Sequence, residues 1–203
     1  TAAGSYISSQ YAGVYNVDMS TLTSLPSIPV NATSFKASSN SITSLPSLSS
    51  LPLLKLLRVS NNLLTSVPSL SALTALQILD LTSNQIASFP SLSGLVALQS
   101  LNLSNNQLVL FTPSLSGLVA LQTFNLSVNL LTSFTSSLSG LTALVTIDLS
   151  TNQLTSFSLS LSGLTALVTI NLQVCPLLTS FTSSLVGLTS LATGSLANCA
   201  LSV

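Results

Sequence analysis

The apolar residues of this chain recur in a fixed order. The stretch LTALQILDLTSNQIASFPSLSG at 73–94 is followed by LVALQSLNLSNNQLVLFTPSLSG at 95–117, and LTALVTIDLSTNQLTSFSLSLSG appears at 141–163. The period is 22 to 24 residues, and each unit contains L-x-x-L-x-L-x-x-N-x-L, as in Leu76, Leu79, Leu81, Asn84 and Ile86. Side chains alternate between the two faces of a strand. If Leu79 and Leu81 point inward, then Ile78, Asp80 and Thr82 point to the opposite face. One unit cannot cover its own apolar face, so stability must come from stacking successive turns.

Indexed on the polar position, the units read Ser20, Asn40, Asn62, Asn84, Asn106, Asn129, Asn152, Cys175 and Cys199, which predicts nine strand segments. The pattern resembles the leucine-rich repeat family, with short plant-type or protist-type units ending in elements such as PSLSGL. The resemblance covers residues 12–201 almost without a gap. It implies a single curved α/β solenoid, with a parallel sheet on the concave side and mostly loop and 3₁₀ turns on the convex side. Residues 1–11 are expected to complete or cap a turn, and 12–203 to form the repeat domain. The resemblance also gives Asn40, Asn62, Asn84, Asn106, Asn129 and Asn152 a structural role, satisfying backbone groups left unpaired inside each turn. Phe89, Phe111, Phe134, Phe157 and Phe181 follow successive ladder positions by about five residues and are expected to stack as a core spine.

Composition narrows the chemistry. Of the 203 residues 47% are apolar, which excludes disorder, while only 3% are charged and the formal net charge is zero. Lys36, Lys55 and Arg58 are the whole cationic inventory, too few for the basic stripe that nucleic-acid binding requires. The mean hydropathy of +0.74 would suit a membrane protein, but Ser, Thr or Asn interrupts every stretch long enough to span. With no His, no Trp and only Asp18, Asp80 and Asp148 as acids, a nucleophilic Ser lacks a base and two thiols cannot complete a zinc shell. No enzyme, cofactor or metal site is expected.

The outward rows are where function could lie. One runs Asn16, Lys36, Arg58, Asp80, Asn102, Asn125, Asp148, Asn171, Ser195, and the next Asp18, Ser38, Ser60, Thr82, Ser104, Ser127, Ser150, Gln173. Lys36, Arg58, Asp80 and Asp148 are the candidate concave-surface residues, either as a recognition surface or simply as the solvated side of each strand. Three N-x-S/T triplets, at Asn31, Asn102 and Asn125, are candidate N-glycosylation sites if the chain is secreted. Cys175 and Cys199 lie one repeat apart, and stacked strands about 4.8 Å apart allow a disulfide. A bridge is expected, with two buried free thiols as the alternative.

The resulting expectation is a secreted structural or adhesive glycoprotein that assembles head to tail with copies of itself, with glycans or extracellular proteins as further partners. A start at Thr1 without Met or a basic-then-apolar leader suggests a processed form, and the two ends look complementary, each with an unpaired strand edge. The alternatives are a monomeric binding module, against which the absence of aromatics from the outward rows counts, and an ice-binding protein using the row Ser100, Thr123, Thr146, Thr169, Thr193, interrupted by Leu56 and Ile78.

Overall fold

The structure is a computed structural model describing residues 7–8, 13–25 and 27–201. Apart from Ile7 and Ser8, the expected 1–11 segment lies outside the described residues. The strands are β1 (Ile7–Ser8), β2 (Val14–Asn16), β3 (Ser34–Lys36), β4 (Leu56–Arg58), β5 (Ile78–Asp80), β6 (Ser100–Asn102), β7 (Thr123–Asn125), β8 (Thr146–Asp148), β9 (Ser156–Phe157), β10 (Thr169–Asn171), β11 (Ser180–Phe181) and β12 (Thr193–Ser195). The main sheet has ten strands in the order β1-β2-β3-β4-β5-β6-β7-β8-β10-β12, and β9 and β11 form a separate parallel pair. From β2 to β12 every pairing in the main sheet is parallel and joins equivalent positions of consecutive turns, as in Leu79↔Leu101 and Asp80↔Asn102.

Each turn puts its apolar residues inside. Leu73, Leu76, Leu79, Leu81, Ile86 and Leu92 are buried in one turn, and their equivalents repeat along the solenoid. Leu57, Leu79, Leu101, Phe124, Ile147 and Ile170 form one inward column, a single core that no turn could close alone. The five phenylalanines stack in two groups, Phe89 to Phe134 and Phe157 with the partly buried Phe181. Phe89 and Phe111 stack with centroids 6.3 Å apart, Phe111 and Phe134 meet at 6.1 Å, and Phe157 and Phe181 stack at 5.6 Å.

The expected solenoid holds, with turns rather than helices on its convex side. Among the described residues there is no helix and no 3₁₀ segment. Instead, each convex segment makes two consecutive turns, with Leu95 N donating to Leu92 O and Leu98 N to Leu95 O. Leucines three apart reach the core this way, and Gly94, at φ 90° inside the first of the two turns, takes a left-handed position that favours glycine.

The Asn ladder joins the turns. Nδ2 of Asn106 donates to Leu81 O of the preceding turn at 3.1 Å and to Leu103 O and Ser104 O of its own turn at 3.0 and 3.2 Å, while its Oδ1 accepts the Ile86 N–H at 3.0 Å. Asn62, Asn84, Asn129 and Asn152 repeat this arrangement one turn apart, and Asn40 does so at the N-terminal end. Leu81 O receives both Asn84 and Asn106, and Leu103 O both Asn106 and Asn129. Buried backbone groups that the bend leaves unpaired are thereby satisfied along the chain.

Candidate functional site

The in-register pairings place Asn16, Lys36, Arg58, Asp80, Asn102, Asn125, Asp148, Asn171 and Ser195 side by side along the concave face. Most of the row is occupied by the protein itself. Oδ1 of Asn16, Asp80, Asn102, Asn125, Asp148 and Asn171 each accepts the backbone N–H two residues ahead, at 2.8 to 3.2 Å. These Asx turns hold the chain as it leaves each strand. Arg58 Nε meets Asp80 Oδ2 at 3.1 Å, so two of the four candidate concave charges are spent on each other. At this half-exposed position the pair contributes little stability.

The second outward row is a correction. Ser60, Ser104, Ser127 and Ser150 are buried. The strands are only three residues long, and the chain bends inward directly after them, which presses these small side chains against the neighbouring turns. Ser60 Oγ donates to Ser38 Oγ at 3.0 Å and Ser104 Oγ to Thr82 Oγ1 at 3.5 Å. What is left for a partner on the concave face is a narrow strip in which most of the Asn/Asp side-chain oxygens are already held by the chain itself.

The expected Cys175–Cys199 bridge is also corrected, since both are free thiols. Each thiol takes the donor role of a ladder Asn, Cys175 Sγ pointing to Leu149 O at 3.6 Å and Cys199 Sγ to Leu172 O at 3.1 Å. Each sulfur is therefore directed at the preceding turn's carbonyl. Burial pushes the Cys175 thiol above its ordinary value; the Asn152 backbone N–H opposes this, and Cys199 and Asp148 add to it. The result is a neutral, inert thiol.

The three glycosylation triplets fall in two settings. Asn31 is exposed in the turn before β3, its Oδ1 accepting the Tyr15 hydroxyl at 3.0 Å. Asn102 and Asn125 are half-buried neighbours at the ends of β6 and β7.

The last turn carries a feature that the sequence reading missed. β12 has Gly194 in the column filled by Leu79, Leu101, Phe124, Ile147 and Ile170 in earlier turns. The missing side chain opens an apolar cavity of about 100 Å³, lined by Ile170, Leu172, Phe181, Leu185, Gly194, Ser195 and Leu196. Leu185 is 46% exposed and Leu191, Leu196 and Leu201 are half-buried. In interior turns the amide after the strand bonds to the next turn, as Leu149 N does to Asn171 O and Leu172 N to Ser195 O. The equivalent Leu196 N–H has no such partner among the described residues. The signal was legible, because TGS at 193–195 stands where TFN, TID and TIN stand earlier. A second, polar groove of about 290 Å³ lies on the convex side between the Ser91–Val96 and Ser114–Leu118 turns.

A family model described as Leucine Rich repeats (2 copies) matches residues 52–94 and 74–118. No curated protein sequence matches the chain. Among solved structures, it is similar to YopM of Yersinia pestis, a leucine-rich effector protein, at 27% identity and a TM-score of 0.69, over 85% of this chain and 49% of that one. YopM of Yersinia enterocolitica WA-314 is similar at 25% identity and a TM-score of 0.56, over 80% of this chain and 31% of that one. A leucine-rich-repeat protein of Leptospira interrogans, at 22% identity and a TM-score of 0.51 over 83% of this chain and 61% of that one, shares the fold. The chain thus spans about half the length of the first of these proteins and under a third of the second.

Proposed function

The chain is a leucine-rich-repeat protein, and from that premise we propose that it is a non-enzymatic, secreted structural module that associates end to end with copies of itself. The observation that carries this reading is the surface around β12. Gly194 leaves an apolar socket, half-buried leucines surround it, and the Leu196 N–H at the outer edge of β12 has no partner among the described residues. A strand edge beside exposed apolar surface is a template for another chain.

The other end modifies the expected contact. The edge of β2 is covered by β1, which pairs with it antiparallel through Ile7↔Asn16 and Ser8↔Tyr15. The first parallel strand is therefore not free to receive a neighbour. A neighbour's β12 would instead pair antiparallel with the outer edge of β1, and a contact of this heterologous kind, repeated without closure, makes a filament.

Sedimentation velocity of the wild-type protein across micromolar concentrations, with negative-stain microscopy, tests the proposal. The expected result is a concentration-dependent series above the 20.8 kDa monomer. Gly194→Lys, whose new Cβ would meet Ile170 Cγ2 at an ordinary 3.6 Å, puts a charge in the socket and is expected to stay monomeric with an unchanged urea midpoint. A wild-type protein that is monomeric at every concentration would refute the proposal in favour of a monomeric binding module.

A further inference from the structure

We propose that Asn102 and Asn125 are N-glycosylation sites, so that the middle of the concave face carries sugar. The inference rests on the secreted part of the reading above and is independent of end-to-end assembly. Both residues begin Asn-Leu-Ser triplets, and β6 and β7 set them side by side in register. In each, Oδ1 is held by the backbone N–H of the triplet's own serine, at 3.0 Å from Ser104 N and 2.8 Å from Ser127 N.

That turn needs only a side-chain oxygen. Asp80 and Asp148, flanking the pair in the same row, make it with a carboxylate. The amide nitrogens of Asn102 and Asn125 are thus not required by the fold, and they make no hydrogen bond among the described residues. The ladder asparagines are the opposite case: Nδ2 of Asn106 is buried and spent on three carbonyls, leaving it no room for a substituent.

The chemistry is transfer from a lipid-pyrophosphate-linked oligosaccharide. The amide nitrogen bonds to the sugar's C1 as the C1–O bond breaks, the lipid pyrophosphate leaves with that electron pair, and one amide proton is released. Ser104 and Ser127 are buried in the folded turns, so transfer must act on the chain before the repeats stack. Once attached, the sugar points away from the core, on the side where the row meets solvent, and compensates for a surface with almost no charge.

The test is peptide mapping by mass spectrometry of protein from its native source, before and after enzymatic release of N-glycans in heavy-oxygen water. Conversion of Asn102 or Asn125 to heavy-oxygen-labelled Asp is the expected result. In parallel, the double variant N102S/N125S, passed through a eukaryotic secretory pathway, is expected to lose the corresponding oligosaccharide mass relative to wild type while keeping its fold, because a serine hydroxyl makes the same kind of turn without adding charge beside Asp80 and Asp148. Unmodified peptides at both positions in the native protein, or a double variant with the sugar content of wild type, would overturn the proposal. Secreted protein bare at both positions would do so without touching the end-to-end reading, which sedimentation decides.

Discussion

Replacing Asn106 by Ala removes four hydrogen bonds from the middle of the solenoid. The losses are unequal. Leu81 O retains the Asn84 amide, Leu103 O retains that of Asn129, and Ser104 O still accepts the Ser83 N–H. Ile86 N–H, whose partner is Asn106 Oδ1 at 3.0 Å, is left inside an apolar turn. An orphaned buried donor costs about 1–3 kcal/mol, and each bond lost from a carbonyl that keeps another partner contributes about 0.5 kcal/mol or less. The expected loss is therefore about 3 kcal/mol, a large share of the roughly 5–15 kcal/mol that holds a typical domain together. Equilibrium urea unfolding followed by far-ultraviolet circular dichroism measures it. Gln107→Ala is the control, since Gln107 is exposed and only its backbone N–H, bonded to Ile86 O, is used; its effect is expected within about 0.5 kcal/mol. A loss below about 1 kcal/mol for Asn106→Ala, or equal losses for the two variants, would refute the account of the ladder.

Other variants probe neighbouring features. Val128, exposed and at φ 54°, is a β-branched residue in the left-handed region, where Asn61 and Asn105 stand in other turns; Val128→Asn is expected to raise stability by about 1 kcal/mol, read as a higher urea midpoint. Cys175→Asn supplies an oxygen for the Leu154 N–H, as Asn106 does for Ile86, and is expected to stabilise by about 1 kcal/mol in the same assay. Because burial raises the folded Cys175 thiol above its ordinary 9.0, the stability it contributes is complete below that value and lost as pH rises through the folded one. Wild type should therefore lose more stability than Cys175→Ser between neutral pH and alkaline pH, and parallel pH profiles would contradict this.

The strand register was legible because inward leucines and the outward Asn/Asp row alternate at fixed spacing, and the in-register pairing of Asp80 with Asn102 follows directly from it. The ladder Asn was legible as a position, since one polar residue recurs within an otherwise apolar unit. The burial of Ser60, Ser104, Ser127 and Ser150 was not, because it arises where the chain bends after a three-residue strand and depends on the turns beside it. The free thiols have a similar cause: strand spacing permits a bridge, but the side-chain direction at the ladder position points each sulfur to a carbonyl. The left-handed residues at 128 and 174 carry no local signal, as valine is a poor choice there and stacking imposes the conformation. Gly194 departs from its column, and a repeat pattern drawn from the residues that recur does not carry such a departure.

Amide hydrogen exchange, measured at several protein concentrations, tests most directly the claim that this solenoid interacts through its last turn. The account predicts that protection of the Gly194, Leu196 and Asn198 amides at the outer edge of β12 rises with concentration, while the amides of β4 to β8 stay unchanged. Protection independent of concentration at β12, or a rise confined to the concave strands β4 to β8, would contradict it.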